Sequence, residues 1–234
     1  MKKFTKTLIN LILISIIIFS SYNIYIKLSE YKKADNVYKN IKKINQSTDK
    51  NKDDELSAIN SEYKFWLKVD NTNIDYPVVQ SKDNDFYLTY DFNKNPLASG
   101  SIFMDYRNNF EKDNSIIVYG HNMKNKTMFA QLTKFKDKNF FNENNLIKVE
   151  YKNNTYIYEV FSVYTADLNN EDYLKVDFKD ENDYKKYINY IKDKSLYKKD
   201  IELNSNDNLI TLYTCSYEFE NARTIIHGKL ISQT

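Results

Sequence analysis

The chain has 234 residues, 41% of them apolar, which suits one domain of ordinary size plus an appendage. Its 34 basic and 32 acidic residues are mixed along the chain and leave a formal charge of +2, which argues against an electrostatic nucleic-acid binder. A single cysteine, Cys215, excludes an intramolecular disulfide and leaves the redox compartment open.

The basic residues are almost all lysine: the only arginines are Arg107 and Arg223, and the only histidines are His121 and His227. With 3 glycines and 2 prolines, tight turns fall largely to Asn and Asp, which tolerate left-handed backbone.

Lys2, Lys3 and Lys6 lead into an apolar run over 8–26, broken only by Asn10, Ser15, Ser20, Ser21 and Asn23. That length approaches the roughly 20 residues a helix needs to cross a bilayer. No small-x-small site follows the apolar centre, which favours an uncleaved signal anchor over a cleaved signal peptide. Lys27, Lys32 and Lys33 flank the far side, so charge alone does not orient the anchor; a translocated C-terminal domain is the simplest arrangement. Leu28, Tyr31, Ala34, Tyr38, Ile41 and Ile44 recur at helical spacing and predict an amphipathic helix leaving the membrane. Residues 46–54 read as a polar linker, and Leu56, Ile59 and Tyr63 predict a short helix over 55–63.

From Phe65 the texture changes to short β-type runs separated by Asn and Asp. Strands are predicted over 66–69, 76–80, 101–104, 115–119, 146–151, 156–164, 208–214 and 224–231, a spacing that suggests an antiparallel sandwich or barrel. Two helices interrupt them. Met128, Phe129, Leu132 and Phe135 predict a short one, and Tyr184, Tyr187, Ile188 and Ile191 a longer one over 180–193.

Cys215 closes an apolar, β-branched run, and alternation puts Leu209, Thr211, Tyr213 and Cys215 on one face. A lone thiol there is either a core residue or a nucleophile. Arg223 opens the next strand after a loop over 216–222, so both can share one rim of the sheet. A guanidinium's fixed fork suits an oxyanion or a carbonyl; the plainer alternative is an ion pair with Glu218 or Glu220. His121 follows the strand-end residue Gly120, a usual place for a catalytic group, although a lone histidine is more often structural. His227 lies on the face of Arg223, roughly 13 Å further along an extended strand, and reads as a barrel-wall histidine. The acids are dispersed, and two distant histidines with one cysteine make no zinc spacing, so no metal and no cofactor is expected.

Thr211-Leu212-Tyr213-Thr214-Cys215, with Arg223 at the next strand and Gly120-His121-Asn122 upstream, resembles the sortases, the cysteine transpeptidases that fix surface proteins to the Gram-positive envelope. The segments 74–80, 83–88 and 100–105 resemble the class B branch, as do the helical N-terminal extension and the long helix before the cysteine strand. The resemblance implies a mostly β fold: an eight-stranded sortase β-barrel over 64–234, a helical extension and linker over 27–63, and a transmembrane signal anchor over 1–26. It implies a catalytic set of His121, Cys215 and Arg223, with Asn84 and Leu88 as substrate contacts. Tyr213 departs from the serine that class B enzymes often carry and is a third groove candidate. The order His before Cys does not suit papain-like enzymes, the Gln-Ala-Cys signature of caspases is absent, and Cys215 follows Thr214 rather than the Gly of L,D-transpeptidases.

By the resemblance, Cys215 attacks the Thr carbonyl of a C-terminal sorting-signal pentapeptide, at a Thr-Gly or Thr-Asn bond of a secreted surface protein. His121 protonates the departing amine and Arg223 steadies the oxyanion. An amine of the peptidoglycan stem peptide or its precursor then resolves the thioacyl enzyme. The implied location is the extracellular face of a Gram-positive cell membrane, on a single-pass anchor. Two other readings stand beside it: a cysteine peptidase that only hydrolyses, and a membrane-tethered β-domain binding module in which Cys215 is a core residue.

Overall fold

The structure, a computed structural model, describes residues 2–47, 51–143, 146–169 and 174–234. Helix α1 (Lys2–Asn45) runs without a break through the apolar run and the amphipathic segment. No Gly or Pro interrupts it, and Lys42 and Lys43 in its last turn face the negative end of its dipole. The apolar side chains of its first half are exposed, and an 18-residue window reaches mean hydropathy 1.9 with none of it buried, so α1 is long and apolar enough to cross a membrane.

Its second half docks on the barrel. Ala34, Tyr38 and Ile41, spaced four and three apart, are buried in the same apolar cluster as the barrel interior. Tyr38 donates to the Gly100 carbonyl and its ring meets Tyr76 edge-on at 5.3 Å. Lys33 donates to the Pro96 carbonyl, and Lys42 pairs with Asp75. Helix α2 (Lys52–Ile59) buries Leu56. The predicted linker over 46–54 falls partly on 48–50, outside the described residues. Its last residues are helical, because Asp53, Asp54 and Glu55 suit a first helical turn. Tyr63 begins a strand instead of closing that helix.

Eight strands follow: β1 (Tyr63–Val69), β2 (Asp75–Val79), β3 (Ile102–Met104), β4 (Ser115–Tyr119), β5 (Leu146–Tyr151), β6 (Asn154–Asp167), β7 (Leu209–Cys215) and β8 (Ala222–Gln233). They close into a barrel in the order β1-β2-β3-β4-β7-β8-β6-β5. The expected all-antiparallel arrangement is corrected: β2/β3 and β4/β7 are parallel pairs. Parallel neighbours need long crossovers, and the chain supplies them over 80–101 and 120–208. The second crossover contains a 3-10 helix over Ala130–Lys136, where a short helix was expected, then α3 (Lys138–Asn142), β5, β6 and α4 (Glu181–Asp193). The Asp180 side chain caps α4 by accepting from Asp183 N.

The turns partly contradict expectation. Asn71, Asn153 and Asn221 take positive φ, but so do Lys94, Lys126, Lys152 and Met128. On β7, Ile210 and Leu212 join the barrel interior, while Leu209 packs outward with Phe161 beneath Tyr184, Tyr187, Ile188 and Ile191 of α4. Alternation therefore leaves Tyr213 and Cys215 outward, where Tyr213 packs on the cluster of Tyr164, Ala166 and Ile225 that Tyr190 of α4 also meets.

Tyr38 is the pin between α1 and the barrel. Tyr38→Ala is expected to lower stability by about 2–4 kcal/mol, in the range for emptying a buried aromatic site. Urea unfolding of a 27–234 fragment measures it; an unchanged midpoint means that α1 docks without stabilising the barrel.

Candidate active site

Three strand ends meet at one rim. In the antiparallel β7/β8 ladder, Cys215 lies directly opposite Arg223. In the parallel β4/β7 ladder, Tyr119 is level with Tyr213, which brings Gly120 and His121 beside Thr214 and Cys215. Three hydrogen bonds tie the histidine segment to the cysteine strand. Gly120 N donates to the Tyr213 carbonyl at 3.2 Å, Thr214 Oγ1 to the Gly120 carbonyl at 2.7 Å, and Asn122 Nδ2 to the Cys215 carbonyl at 2.8 Å. Gly120 serves close packing, not flexibility: a Cβ there would lie 2.4 Å from Ile102 Cδ1 and 2.8 Å from the Phe129 ring.

Cys215, a free thiol, and His121 are both half-buried. His121 Nε2 lies 2.7 Å from the Leu88 carbonyl oxygen. A carbonyl only accepts, so Nε2 carries a proton, and Nδ1 is the nitrogen left for proton exchange. Leu88 ends a 3-10 turn (Phe86–Leu88) that Asp83 nucleates by accepting from Asp85 N and Phe86 N. Gly100, at φ +54°, packs against that turn; a Cβ would meet the Tyr87 and Leu88 carbonyl oxygens at 2.3 and 2.6 Å.

Arg223 donates from Nε to the Tyr213 hydroxyl at 2.7 Å and from Nη1 to the Ala222 carbonyl at 2.9 Å. Among the described residues it forms no ion pair with Glu218 or Glu220; Glu218 pairs with Lys136. Tyr213 meets Tyr119 edge-on at 5.0 Å, and Tyr119 donates to Asp105 at 2.7 Å. Asp105 is fully buried and is held by Arg107 through Nε at 2.9 Å and Nη2 at 2.8 Å. Burial pushes the Asp105 carboxyl up, but the Arg107 fork, its backbone N–H and the Tyr119 hydroxyl outweigh that and hold it below the ordinary carboxylate value.

Of the expected groove residues, Leu88 and Tyr213 stand beside the trio. Asn84 does not touch it. Its amide donates to Asp105 at 3.1 Å and accepts from Tyr106 N at 3.0 Å, so among the described residues its hydrogen bonds reach the site through Asp105, Tyr119 and Tyr213. Sequence reasoning missed Asn122, Asp105 and Tyr119. The scarcity of arginine, which drew notice to Arg223, marks Arg107 and hence Asp105 equally well.

His227 is fully buried, with Nδ1 2.9 Å from Thr211 Oγ1 and Nε2 2.9 Å from the Tyr164 hydroxyl. Burial pushes its pKa down to about 3. It is a neutral wall residue under α4, as its parity and position implied.

The Sortase domain family model matches residues 67–231. Sortase B of Listeria monocytogenes serovar 1/2a is 34% identical over an alignment that covers 99% of both chains. The solved sortase B of Clostridium perfringens is 49% identical over 77% of this chain and 100% of its own, with a TM-score of 0.76. A Staphylococcus aureus sortase B–substrate complex is 29% identical over 87% of this chain and 99% of its own, with a TM-score of 0.79.

Gly100→Ala would displace the carbonyl that holds His121. It is expected to destabilise the fold by about 2–4 kcal/mol, from positive φ plus overpacking. If His121 serves as an acid–base group, peptide cleavage at a temperature where the variant is folded is expected to fall about tenfold, within the range for misplacing such a group.

His227 stays neutral in the folded chain but protonates near its ordinary 6.5 when unfolded. The unfolded state thus binds more protons below pH 6.5, and stability falls as pH drops from there toward 3, by up to about 1.4 kcal/mol per pH unit. His227→Gln is expected to flatten this acid limb in urea titrations while leaving cleavage at pH 7.5 within about threefold, as for a residue outside the chemistry. Loss of cleavage in His227→Gln together with its survival in His121→Gln would reverse the choice of base.

Proposed function

The chain belongs to the sortase family, and on that premise we propose that Cys215, His121 and Arg223 perform its transpeptidation on a sorting-signal pentapeptide. It is a sortase-type cysteine transpeptidase; sortases act on sorting-signal substrates at the cell surface, and the long apolar N-terminal helix fits a membrane anchor. What supports the residue assignment is one register: Cys215 opposite Arg223, with the His121 segment bonded to the Cys215 carbonyl through Asn122.

In the proposed reaction the Cys215 thiolate, the reactive form of the thiol, attacks the Thr carbonyl carbon. A C–S bond forms and the carbonyl electron pair moves to oxygen, where the Arg223 guanidinium stabilises it. Collapse restores the carbonyl and breaks the C–N bond, and the departing amine takes a proton from His121. A peptidoglycan stem-peptide or precursor amine then attacks the thioester and gives its proton to His121. The C–S bond breaks and Cys215 returns as thiolate. Leu88 and Tyr213 line the groove beside the nucleophile, and Asn84 acts indirectly by supporting its wall.

Residues 1–26 form a single-pass anchor that leaves the barrel on the outer face of a Gram-positive membrane. Anchoring holds enzyme and secreted substrate at one surface. This lowers the entropic penalty of their encounter.

A panel of sorting-signal peptides incubated with a 27–234 fragment tests this reading. Cleavage at a Thr-Gly or Thr-Asn bond is expected, with a thioacyl adduct on Cys215 by mass spectrometry. Cys215→Ala, His121→Ala and Arg223→Ala are each expected to lower kcat/KM by at least about 100-fold, as for loss of a nucleophile, an acid–base group or an oxyanion donor. An added amine that yields no transpeptidation product while hydrolysis continues would make the protein a peptidase. A Cys215 that resists alkylation and forms no adduct would make the domain a binding module.

A further inference from the structure

We infer that Tyr213 is a positioning residue that aims the Arg223 guanidinium, through its hydroxyl, at the carbonyl oxygen attacked by Cys215. This rests on the proposal above that Arg223 stabilises the oxyanion.

Arginine has a long side chain with about 2 kcal/mol of rotamer entropy, so a half-exposed arginine is not aimed by its backbone alone. Here two of its five N–H groups are committed. Nε donates to the Tyr213 hydroxyl at 2.7 Å and Nη1 to the Ala222 carbonyl at 2.9 Å. A planar fork bound at Nε and Nη1 has lost its freedom to swing. Among the described residues Nη2 donates to none, so it is the nitrogen left for a substrate oxygen.

The tyrosine reaches because of where it stands. Tyr213 and Cys215 share the outer face of β7; Cys215 is level with Arg223 and Tyr213 with Ile225. Tyr213 is thus the diagonal neighbour of Arg223, about 7–8 Å away at the backbone, within reach of a long side chain only.

Tyr213 is itself braced. Its ring packs edge-on against Tyr119 at 5.0 Å and lies on the cluster of Tyr164, Ala166 and Ile225. The Tyr119 hydroxyl is tied to buried Asp105, which the Arg107 fork fixes from two nitrogens. Burial and the neighbouring Asp105 carboxylate push the Tyr119 hydroxyl up, so it stays protonated and keeps donating. Both arginines of the chain thus belong to one continuous arrangement: Arg107 clamps Asp105, Asp105 fixes Tyr119, Tyr119 braces Tyr213, and Tyr213 holds Arg223.

The test is a double-mutant cycle of Tyr213→Phe and Arg223→Lys, read as kcat and KM on the best-cleaved sorting-signal peptide. Tyr213→Phe keeps the ring and its packing and removes only the hydroxyl. It is expected to lower kcat about tenfold at unchanged KM, with an unchanged melting temperature, as for an oxyanion donor left unaimed. In the Arg223→Lys background the same change is expected to alter kcat less than about twofold, because lysine has no fork to aim. A Tyr213→Phe enzyme with kcat equal to or above that of the parent overturns the inference, the higher value meaning that the tyrosine holds Arg223 away from substrate. So does an equal loss in both backgrounds, which would mean that Tyr213 acts without Arg223. If Arg223→Lys itself cleaves as fast as the parent, the role given to Arg223 fails, independently of Tyr213.

Discussion

Strand β7 is hydrogen-bonded on both sides, in parallel to β4 and antiparallel to β8, and its register determines what the rim of the barrel can do. Side chains alternate along a strand, so a slip of one residue would turn Cys215 into the barrel and bring Thr214 out. Both faces resist the slip. Ile210 and Leu212 are buried in the interior, and Leu209 and Thr211 are buried under α4 and beside His227. Burial on both faces for the first four residues pins the register of the last three, of which Tyr213 and Cys215 are half-exposed. The barrel thus stores its rigidity at one end of the strand and uses it at the other.

Polar groups are managed around the same rim. Thr214, fully buried, satisfies its hydroxyl on the Gly120 carbonyl and so adds a side-chain tie to the parallel ladder. Asp105 is a fully buried carboxylate, which is costly unless paired and hydrogen-bonded. It receives the two guanidinium nitrogens of Arg107, the Arg107 N–H, Tyr119 and Asn84. A group satisfied this completely specifies the places of its partners, and its partners form the wall beneath Tyr213. His227 follows the opposite rule: buried with no charged partner among the described residues, it remains neutral, with one hydroxyl on each ring nitrogen.

The loop between β2 and β3 joins these two themes to the long N-terminal helix. Gly100 presses on the Leu88 carbonyl that holds His121, and its own carbonyl receives the Tyr38 hydroxyl from α1. One short segment therefore carries both the docking of the N-terminal helix and a wall of the site. The helix that fits a membrane anchor is continuous with the one seated on the barrel, so the orientation of the rim is coupled to the orientation of α1.

Local sequence determined a good deal of this protein. The 3.6-residue period of Tyr184, Tyr187, Ile188 and Ile191 and the Asp180 cap define α4, and the apolar run in α1 marks its length. The β-branched runs mark all eight strands to within a few residues, because burial periodicity is a local property of the chain. The scarcity of Arg, His and Cys, with the Thr-Cys and Gly-His-Asn motifs, singled out Cys215, His121 and Arg223. Tertiary structure alone decided which strands became neighbours and in which direction, so the parallel pairs β2/β3 and β4/β7 were not legible. It also decided the partners of each polar side chain. That Arg223 meets Tyr213 and not Glu218, that His121 leans on the Leu88 carbonyl, and that Asn84 serves Asp105 before any ligand depends on groups tens of residues apart. Their proximity follows from closing the barrel, a global constraint that no local pattern encodes.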